Sequence, residues 1–227
     1  MRLLVKKATI KDDSCFMINL PPIIIDANLI CSSYNALMNH LNLFDMIAPF
    51  YAWFYTYQRK SYQKSVDQLI NHINLQNLNA IDLGCGTGAL TAELAKYMTI
   101  KGIDGSLNMI KEAKRLNPKL DFECITFGHV LPFQDQSTDI VFSSFVLHGL
   151  KSPKRIELLN EMKRISTSYV IILDYHEGRN PMISLVEWIE HGDYFHFMKH
   201  FKSETEQVFR HIEILKLNKH TAFYIMH

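Results

Sequence analysis

The stretch AIDLGCGTGALTAEL, Ala80 to Leu94, constrains the fold of this chain more than any other segment. It passes from an apolar, strand-like run through three glycines, Gly84, Gly86 and Gly88, into a run with helical spacing. Glycine has no Cβ and adopts positive φ without strain, so the backbone can turn sharply here and stay accessible. The segment therefore predicts a strand, a tight turn and a helix, an arrangement that favours an anionic or nucleotide-like ligand at the carboxyl end of the strand.

Strand-like and helical runs alternate from Leu78 onward, which is typical of a parallel sheet built from βαβ units. We predict strands at 78–84, 99–104, 120–126, 138–145 and 168–174, and helices at 88–97, 106–116 and 153–166. The last two apolar runs, HIEILKL and HTAFYIMH, are separated by Asn218 and Lys219 and predict an antiparallel hairpin at one edge of the sheet. The predicted fold class is α/β, a doubly wound sheet with an antiparallel C-terminal hairpin.

Charge and cysteine content disfavour several kinds of partner. The 24 Lys and Arg residues nearly balance 23 Asp and Glu residues, so no strong field draws in nucleic acid or an anionic membrane. The four cysteines form no CxxC pair, which argues against a zinc site or a disulfide framework and favours a cytoplasmic location. Pro21 and Pro22 interrupt the apolar run near the N terminus, which makes a poor signal peptide. We expect a small-molecule partner, no nucleic acid, no stable membrane insertion and no metal; the oligomeric state stays open.

Four motifs in the same order resemble one enzyme family. IDLGCGTG resembles motif I of the class I S-adenosylmethionine-dependent methyltransferases, and IKGIDGSLNMIKEAK resembles their second element. LPFQDQSTDIVFSSFVLHGL resembles the LPF-to-LHHL block of the quinone-type, or type 11, branch, and FDMIAPFYAWF is similar to the entry motif of that branch. The resemblance implies a Rossmann-like sheet of seven strands with an N-terminal helical cap. It also implies methyl transfer from S-adenosylmethionine to a small or medium, apolar or aromatic acceptor, with S-adenosylhomocysteine as product.

The resemblance assigns the cofactor contacts residue by residue. Asp104 would accept hydrogen bonds from both ribose hydroxyls, since a carboxylate offers two acceptor oxygens. Asp82 would face the amino group of the methionine part, and Met109 would pack on the adenine. Where the family usually has an acid beside the adenine amino group, this chain has Phe127. The predicted cofactor-binding residues are Asp82, Gly84, Cys85, Gly86, Gly88, Asp104, Gly105, Ser106, Met109, Gly128, His129 and Ser144.

The acceptor side is predicted from aromatic residues and one histidine. Seven aromatics lie between Phe44 and Tyr57, a density that favours a lid or a wall. Residues 1–75 are expected to fold as helices over the carboxyl edge of the sheet. The predicted pocket residues are Tyr51, Phe54, His148 and Tyr175. We divide the chain into an extension and helix (1–43) and a methyltransferase domain (44–227), which comprises a helical lid (44–76), a cofactor-binding core (78–175) and cap helices with the hairpin (176–227).

His148 is open to two interpretations. Its position just past the fourth strand makes it a candidate general base, because the ordinary pKa of imidazole lies near neutrality. The simpler interpretation is a histidine at the start of a helix that shapes the pocket wall. His176 and Glu177 lie at the same edge and admit the same two interpretations.

The sequence also allows other interpretations of the function and of single residues. Gly84, Gly86 and Ala89 also fit the dinucleotide pattern GxGxxA, with Asp104 where a ribose-binding acid would lie, so an NAD-dependent oxidoreductase is one alternative. A protein that binds S-adenosylmethionine without catalysis is another, since no catalytic side chain is required by the motifs. His191, His196 and His200 suggest a metal site less than an amphipathic cap. Cys85 is most simply a small residue at a crowded turn.

Overall fold

A mixed seven-stranded sheet forms the centre of the computed structural model, which describes residues 55–126, 130–176 and 194–227. In chain order the elements are helix α1 (55–70), strand β1 (Asn79–Leu83), helix α2 (Ala89–Leu94), strand β2 (Thr99–Asp104), helix α3 (Leu107–Leu116), strand β3 (Asp121–Cys124), strand β4 (Thr138–Ser144), a 3-10 turn (Leu147–Gly149), helix α4 (Ser152–Ile165), strand β5 (Ser166–Tyr175), helix α5 (Tyr194–Val208), strand β6 (Ile212–Lys216) and strand β7 (Thr221–Met226).

The strand order is β3-β2-β1-β4-β5-β7-β6. Strands β1 to β5 pair in parallel, whereas β7 lies antiparallel between β5 and β6. This confirms the predicted fold class, and each strand predicted from β1 to β5 lies within two residues of the observed bounds. Because β1 lies between β2 and β4, the chain crosses the sheet in opposite directions from β1, and such a switch point opens a crevice at the carboxyl ends of the strands.

Helices cover both faces of the sheet. Successive side chains of a strand point to opposite faces of the sheet, so each central strand supplies apolar residues to both faces. The sequence of such a strand is therefore a nearly continuous apolar run. One face carries α1, α2 and α3, and the opposite face carries α4 and α5. Core residues of the first face include Val66, Leu69, Leu90, Leu94, Phe142 and Ile171. Those of the second include Leu83, Val141, Leu159, Met162, Ile172, Phe197 and Phe201.

Helix α1 is the described part of the predicted N-terminal cap. It is a helix as expected, and its C-terminal half packs on a face of the sheet, because Val66 and Leu69 are buried in the apolar cluster of that face. Arg59 pairs with Glu93 of α2 at 2.7 Å, and the Tyr62 hydroxyl lies 3.3 Å from Ser144 Oγ at the end of β4. The remainder of the predicted cap, with Tyr51 and Phe54, lies outside the described residues.

Within the ranges given above, no helix combines the length and the apolar character needed to cross a bilayer.

Candidate active site

The glycine loop follows β1 and opens the crevice at the switch point. Gly84, Gly86 and Gly88 have φ of 75°, 53° and 76°. A Cβ on Gly84 would lie 2.4 Å from Val146 Cγ2, and a Cβ on Gly88 would lie 2.6 Å from Phe122 Cζ. A Cβ on Gly86 would meet nothing within 4 Å. Val146 therefore covers the Cα side of Gly84, whereas Gly86 faces open space; that a ligand lies against these glycines stays a prediction.

Hydrogen bonds to β2 hold this loop in place. The amides of Gly84 and Cys85 donate to the carbonyl of Ile103 at 2.8 and 3.0 Å. The next amide, that of Gly86, donates to Asp104 Oδ2 at 2.9 Å. The loop conformation therefore depends on the end of β2 as much as on the glycines themselves.

Asp104 joins the glycine loop to helix α3. Its Oδ1 accepts a hydrogen bond from Ser106 N at 2.8 Å, while Oδ2 accepts the one from Gly86 N. Ser106 in turn caps α3, since its Oγ accepts a hydrogen bond from Met109 N at 3.1 Å. Two backbone donors thus fix the Asp104 carboxylate at the carboxyl edge of the sheet, beside the glycine loop.

Asp82 lies beneath the loop and is fully buried. Thr91 Oγ1 of α2 donates to its Oδ2 at 2.6 Å, but among the described residues Oδ1 has no hydrogen-bond partner. Burial, with a smaller contribution from the charge of Asp104, raises the pKa of Asp82 to about 7. A buried carboxylate oxygen without a donor is costly, so a cationic or N–H group of a ligand would stabilise it.

The other predicted cofactor residues surround these two acids. Cys85 is buried, with its Sγ 3.0 Å from where a Cβ on Gly102 would lie. Burial, followed by the charges of Asp104 and Asp82, raises the pKa of the Cys85 thiol well above its usual value, so the thiol stays protonated and serves as a small side chain. Met109, Ser106 and Ser144 are buried. Gly128 and His129 lie outside the described residues.

His148 lies in the 3-10 turn after β4 and contacts a buried acid. Its Nδ1 is 2.7 Å from Asp174 Oδ1, and its backbone N–H donates to Asp174 Oδ2 at 3.3 Å. Tyr175 N also donates to Oδ1, at 2.8 Å. Two backbone N–H groups and the imidazole of His148 therefore converge on the Asp174 carboxyl group.

Aromatic rings surround the His148 imidazole. The ring of Tyr175 lies 4.7 Å from it between centroids, and those of Phe197 and Phe145 lie 6.3 and 6.4 Å away. Phe145 has φ of 52°, an unusual conformation for a bulky residue and one that is often found at functional sites. The structure thus brings together two of the predicted pocket residues, His148 and Tyr175.

The sequence reasoning missed the acid that orients His148. Asp174 interrupts the apolar run VIILDY near its end, and an acid within a buried strand was the available signal. It also missed Arg155 and Glu204, a fully buried ion pair with Nε to Oε2 at 2.5 Å. Arg155 Nη1 donates to the carbonyl of Leu147, the first residue of the turn that carries His148, and to that of Leu150, the residue after the turn.

The remaining histidine candidates have structural contacts. His176 Nδ1 lies 3.1 Å from the Tyr224 hydroxyl, which donates to the carbonyl of Tyr175. The rings of His196 and His200 stack on α5 with centroids 4.3 Å apart. In the described ranges, no three His, Cys, Asp or Glu side chains lie close enough together to hold a metal ion. Glu177 and His191 lie outside those ranges.

Comparisons with known proteins bear on this site directly. Residues 80–168, which include the glycine loop, Asp104 and His148, match a family model described as a methyltransferase domain. The chain is 33% identical over 93 residues to a trans-aconitate 2-methyltransferase of Pseudomonas paraeruginosa, an alignment that covers 39% of this chain and 33% of that protein. It is 36% identical over 87 residues to a demethylmenaquinone methyltransferase of Renibacterium salmoninarum, an alignment that covers 38% of this chain and 35% of that protein. Residues 80–168 are a domain of the class I S-adenosylmethionine-dependent methyltransferase family.

The fold of the chain agrees with solved structures. A magnesium protoporphyrin IX methyltransferase of Synechocystis with bound S-adenosylhomocysteine superposes with a TM-score of 0.53 at 15% identity, covering 74% of this chain and 81% of that one. The family predicted from the four motifs is confirmed, and a demethylmenaquinone methyltransferase among the relatives agrees with the quinone-type resemblance. The aligned region spans about a third of the length of the two curated relatives.

A matched pair of glycine substitutions should separate ligand binding from folding. Gly86→Ala places a methyl group in the open space above the loop, so we expect the affinity of the methyltransferase for S-adenosylhomocysteine to fall about tenfold or more. Its stability should fall by only about 1–2 kcal/mol, the cost of positive φ for alanine. Gly88→Ala adds a clash with Phe122 to the same backbone strain and should lose more stability. Calorimetric titration and urea unfolding measure the two effects, and equal stability losses in both variants would contradict the assignment.

Proposed function

We propose that this methyltransferase transfers a methyl group from S-adenosylmethionine to a small or medium, apolar or aromatic acceptor. The observation that carries the proposal is the open backbone at Gly86 between two acids, one of which, Asp82, has a buried oxygen without a donor among the described residues. A ligand that combines an ammonium group with ribose hydroxyls matches these two acids. The residues therefore fit S-adenosylmethionine.

In this proposal the chain binds and orients the cofactor through few side chains. Asp104 holds the ribose hydroxyls, Asp82 faces the amino group, and Gly86 lets the methionine part approach the main chain. Met109, Gly128 and His129 line the adenine. The bound cofactor supplies a methyl group on an activated sulfonium. The main task of the protein is then to hold the acceptor in line with that methyl group and to keep water out.

The acceptor side of the proposal rests on the rings around His148. Phe145, Tyr175 and Phe197 form an aromatic wall beside the imidazole, and Tyr175 also contacts the ring of Tyr194 at 5.1 Å between centroids. Such a wall favours a flat or apolar molecule over a strongly hydrated one. Tyr51 and Phe54 are proposed to complete the pocket from the lid.

The balanced charge and the cysteine pattern extend the proposal to partners and location. With 24 basic and 23 acidic residues, the chain has no strong positive charge for nucleic acid. We propose a small-molecule acceptor and a cytoplasmic location.

Methyl-labelled cofactor tests the proposed function. The protein is incubated with cell extract and S-adenosylmethionine that carries a deuterated methyl group, and products are identified by untargeted mass spectrometry. We expect the label in a small aromatic or apolar molecule. Label found only in nucleic acid or protein would contradict the acceptor class. A protein that binds S-adenosylhomocysteine but labels nothing would support the alternative of a non-catalytic binder.

Asp104 and His148 should affect different steps. Asp104→Ala removes the acceptor of the ribose hydroxyls, and hydrogen bonds to charged groups contribute roughly 1.5–3 kcal/mol each before water recovers part of the loss. We expect S-adenosylhomocysteine to bind about 10 to 100 times more weakly. His148→Ala should leave this affinity nearly unchanged, because the imidazole faces the acceptor side. Calorimetry on both variants, each shown to be folded by circular dichroism, makes the comparison; an unchanged affinity in Asp104→Ala would refute the ribose assignment.

A further inference from the structure

We infer that Tyr55 and Asn117 are positioning residues for the glycine loop, so that the affinity for S-adenosylmethionine depends on the docking of helix α1. This inference rests on the proposed function. Neither residue is among the predicted cofactor-binding residues. Both are buried, Tyr55 in the first turn of α1 and Asn117 at the C-terminal cap of α3.

The Asn117 side chain connects α1 to the glycine loop. Its Nδ2 donates to the carbonyl of Thr87 at 3.3 Å and to that of Ala113 at 3.1 Å. Because both of these partners are carbonyls, the amide must present Nδ2 to them and Oδ1 to its other neighbour. That neighbour is the Tyr55 hydroxyl, which donates to Oδ1. The hydrogen bonds therefore run from Tyr55 through Asn117 to Thr87.

The Tyr55 hydroxyl remains a donor at physiological pH. Burial, the largest contribution, raises the pKa of Tyr55 above its ordinary value, although the charge of Arg59 and the hydrogen bond with Asn117 lower it in part. Asn117 Oδ1 requires such a donor, since a buried amide oxygen without one is costly. The orientation of the Asn117 amide thus depends on Tyr55.

Thr87 is the residue of the loop that Asn117 holds. It is buried and lies between Gly86, whose backbone faces open space, and Gly88, the N-cap of α2. Both glycines have positive φ, 53° and 76°, so the backbone on each side of Thr87 has an unusual conformation. Rotation of the Thr87 carbonyl away from Asn117 would change φ of Gly88. The loop conformation therefore depends on this hydrogen bond.

Helix α1 has two kinds of attachment to the rest of the molecule. Its C-terminal half is held by Val66 and Leu69 in the apolar core. Its first two turns make polar contacts, since Arg59 pairs with the buried Glu93 of α2 at 2.7 Å in addition to the contact of Tyr55. The first two turns can therefore be released while the other half of the helix stays in place.

This arrangement links the docking of α1 to cofactor binding. With α1 docked, Asn117 holds the loop in the conformation that leaves Gly86 open and places its amide on Asp104. With the first turns released, the loop samples other conformations, and the cofactor must also order the loop when it binds. By thermodynamic linkage, the cofactor favours docking of α1 by the same factor.

Removal of one hydroxyl tests the inference without a change in any predicted cofactor contact. Tyr55→Phe keeps the ring and loses the donor to Asn117. We expect calorimetric titration to show S-adenosylhomocysteine bound about 3 to 10 times more weakly, the effect of one hydrogen bond. Tyr57→Phe, on the same helix, removes the hydroxyl of a residue that is 75% exposed and should bind like the parent. Equal affinities in the two variants would overturn the inference.

A double variant distinguishes positioning from a purely structural role. Asn117→Ala removes the middle group of the chain of contacts and should weaken binding at least as much as Tyr55→Phe. Added to Asn117→Ala, Tyr55→Phe should then change the affinity no further, because the connection is already broken. Additive losses would contradict the inference. So would variants that unfold at lower urea concentration but, while folded, bind S-adenosylhomocysteine as tightly as the parent.

Hydrogen exchange measures the reciprocal effect on α1. In the parent, saturation with S-adenosylhomocysteine should slow amide exchange in a peptide that covers residues 55–66 about threefold or more. Tyr55→Phe should lose most of this protection, whereas Tyr57→Phe should keep it. If the parent binds S-adenosylhomocysteine with no change in this peptide, α1 is not linked to the site. Failure of the parent to bind S-adenosylhomocysteine would refute the proposed function itself.

Discussion

We expect Arg155→Met to lower the free energy of unfolding by about 3–5 kcal/mol, the usual cost of removing one partner from a buried ion pair. Arg155 is fully buried, and Glu204 is 3% exposed. Without Arg155, Glu204 keeps a buried charge with only the half-exposed His196 nearby, at 3.7 Å, and the carbonyls of Leu147 and Leu150 lose the donor that Arg155 provides. The difference in unfolding free energy between the parent and Arg155→Met should become smaller toward acid pH. Burial raises the pKa of Glu204, but the hydrogen bonds and the charge of Arg155 hold it below its usual value. Without Arg155 the carboxyl group of Glu204 protonates more readily, so its buried charge is lost.

Urea unfolding at pH 7.5 measures this effect, with two companion variants. Lys202→Met breaks an exposed pair with Glu206 on the same helix and should cost less than about 1 kcal/mol. The double variant Arg155→Met with Glu204→Leu removes both charges and should recover most of the loss, because apolar residues often replace a buried pair without cost. If Arg155→Met were as stable as Lys202→Met, the pair would have no structural role.

Asp82→Asn should change how stability depends on pH. The folded-state pKa of about 7 lies above the ordinary value of 3.8, so the native protein holds a proton that the unfolded chain has lost between these two values. The contribution of Asp82 is therefore fully favourable below about pH 4 and is lost as pH rises through 7, by up to about 4 kcal/mol at 1.36 kcal/mol per pKa unit. Asparagine does not titrate, so the variant should lack this decline.

The same substitution should weaken ligand binding. Asparagine keeps an acceptor for Thr91 but has no negative charge for the amino group of the cofactor. We therefore expect Asp82→Asn to gain stability relative to the parent between pH 5 and 8 while it loses affinity for S-adenosylhomocysteine. Thermal unfolding across this pH range and calorimetry measure the two effects. A parallel pH profile in parent and variant would show that Asp82 is not a buried, perturbed acid.

The parts of the site that lie close in sequence were predictable, and the parts that depend on packing were not. The glycine loop, Asp82 and Asp104 follow from local rules, since strand ends, positive φ and helix starts leave signals within a few residues. Asp174 meets His148 across 26 residues, because β4 and β5 pair in the register that sets Ser144 beside Leu173. Arg155 and Glu204 are 49 residues apart and meet only where α4 packs on α5. No local pattern encodes these pairings.

The glycines show the same limit at smaller scale. From the sequence alone, all three glycines are interpreted in the same way. In the structure, Gly84 is required because a Cβ would clash with Val146, and Gly88 because a Cβ would clash with Phe122. Gly86 alone of the three faces open space. The periodicity of α1 likewise predicted a helix, but the face of the sheet that it covers became clear only from the buried positions of Val66 and Leu69.

Calorimetric titration of the unmodified protein with S-adenosylhomocysteine and, separately, with NAD tests the central claim most directly. The arrangement of Asp82, Gly86 and Asp104 predicts binding of S-adenosylhomocysteine at one site per chain, and no binding of NAD at the same concentration. Both ligands carry ribose hydroxyls for Asp104, but S-adenosylhomocysteine also has an aliphatic ammonium group for Asp82 Oδ1, which has no hydrogen-bond partner among the described residues. Binding of NAD with no binding of S-adenosylhomocysteine would contradict the assignment of this crevice.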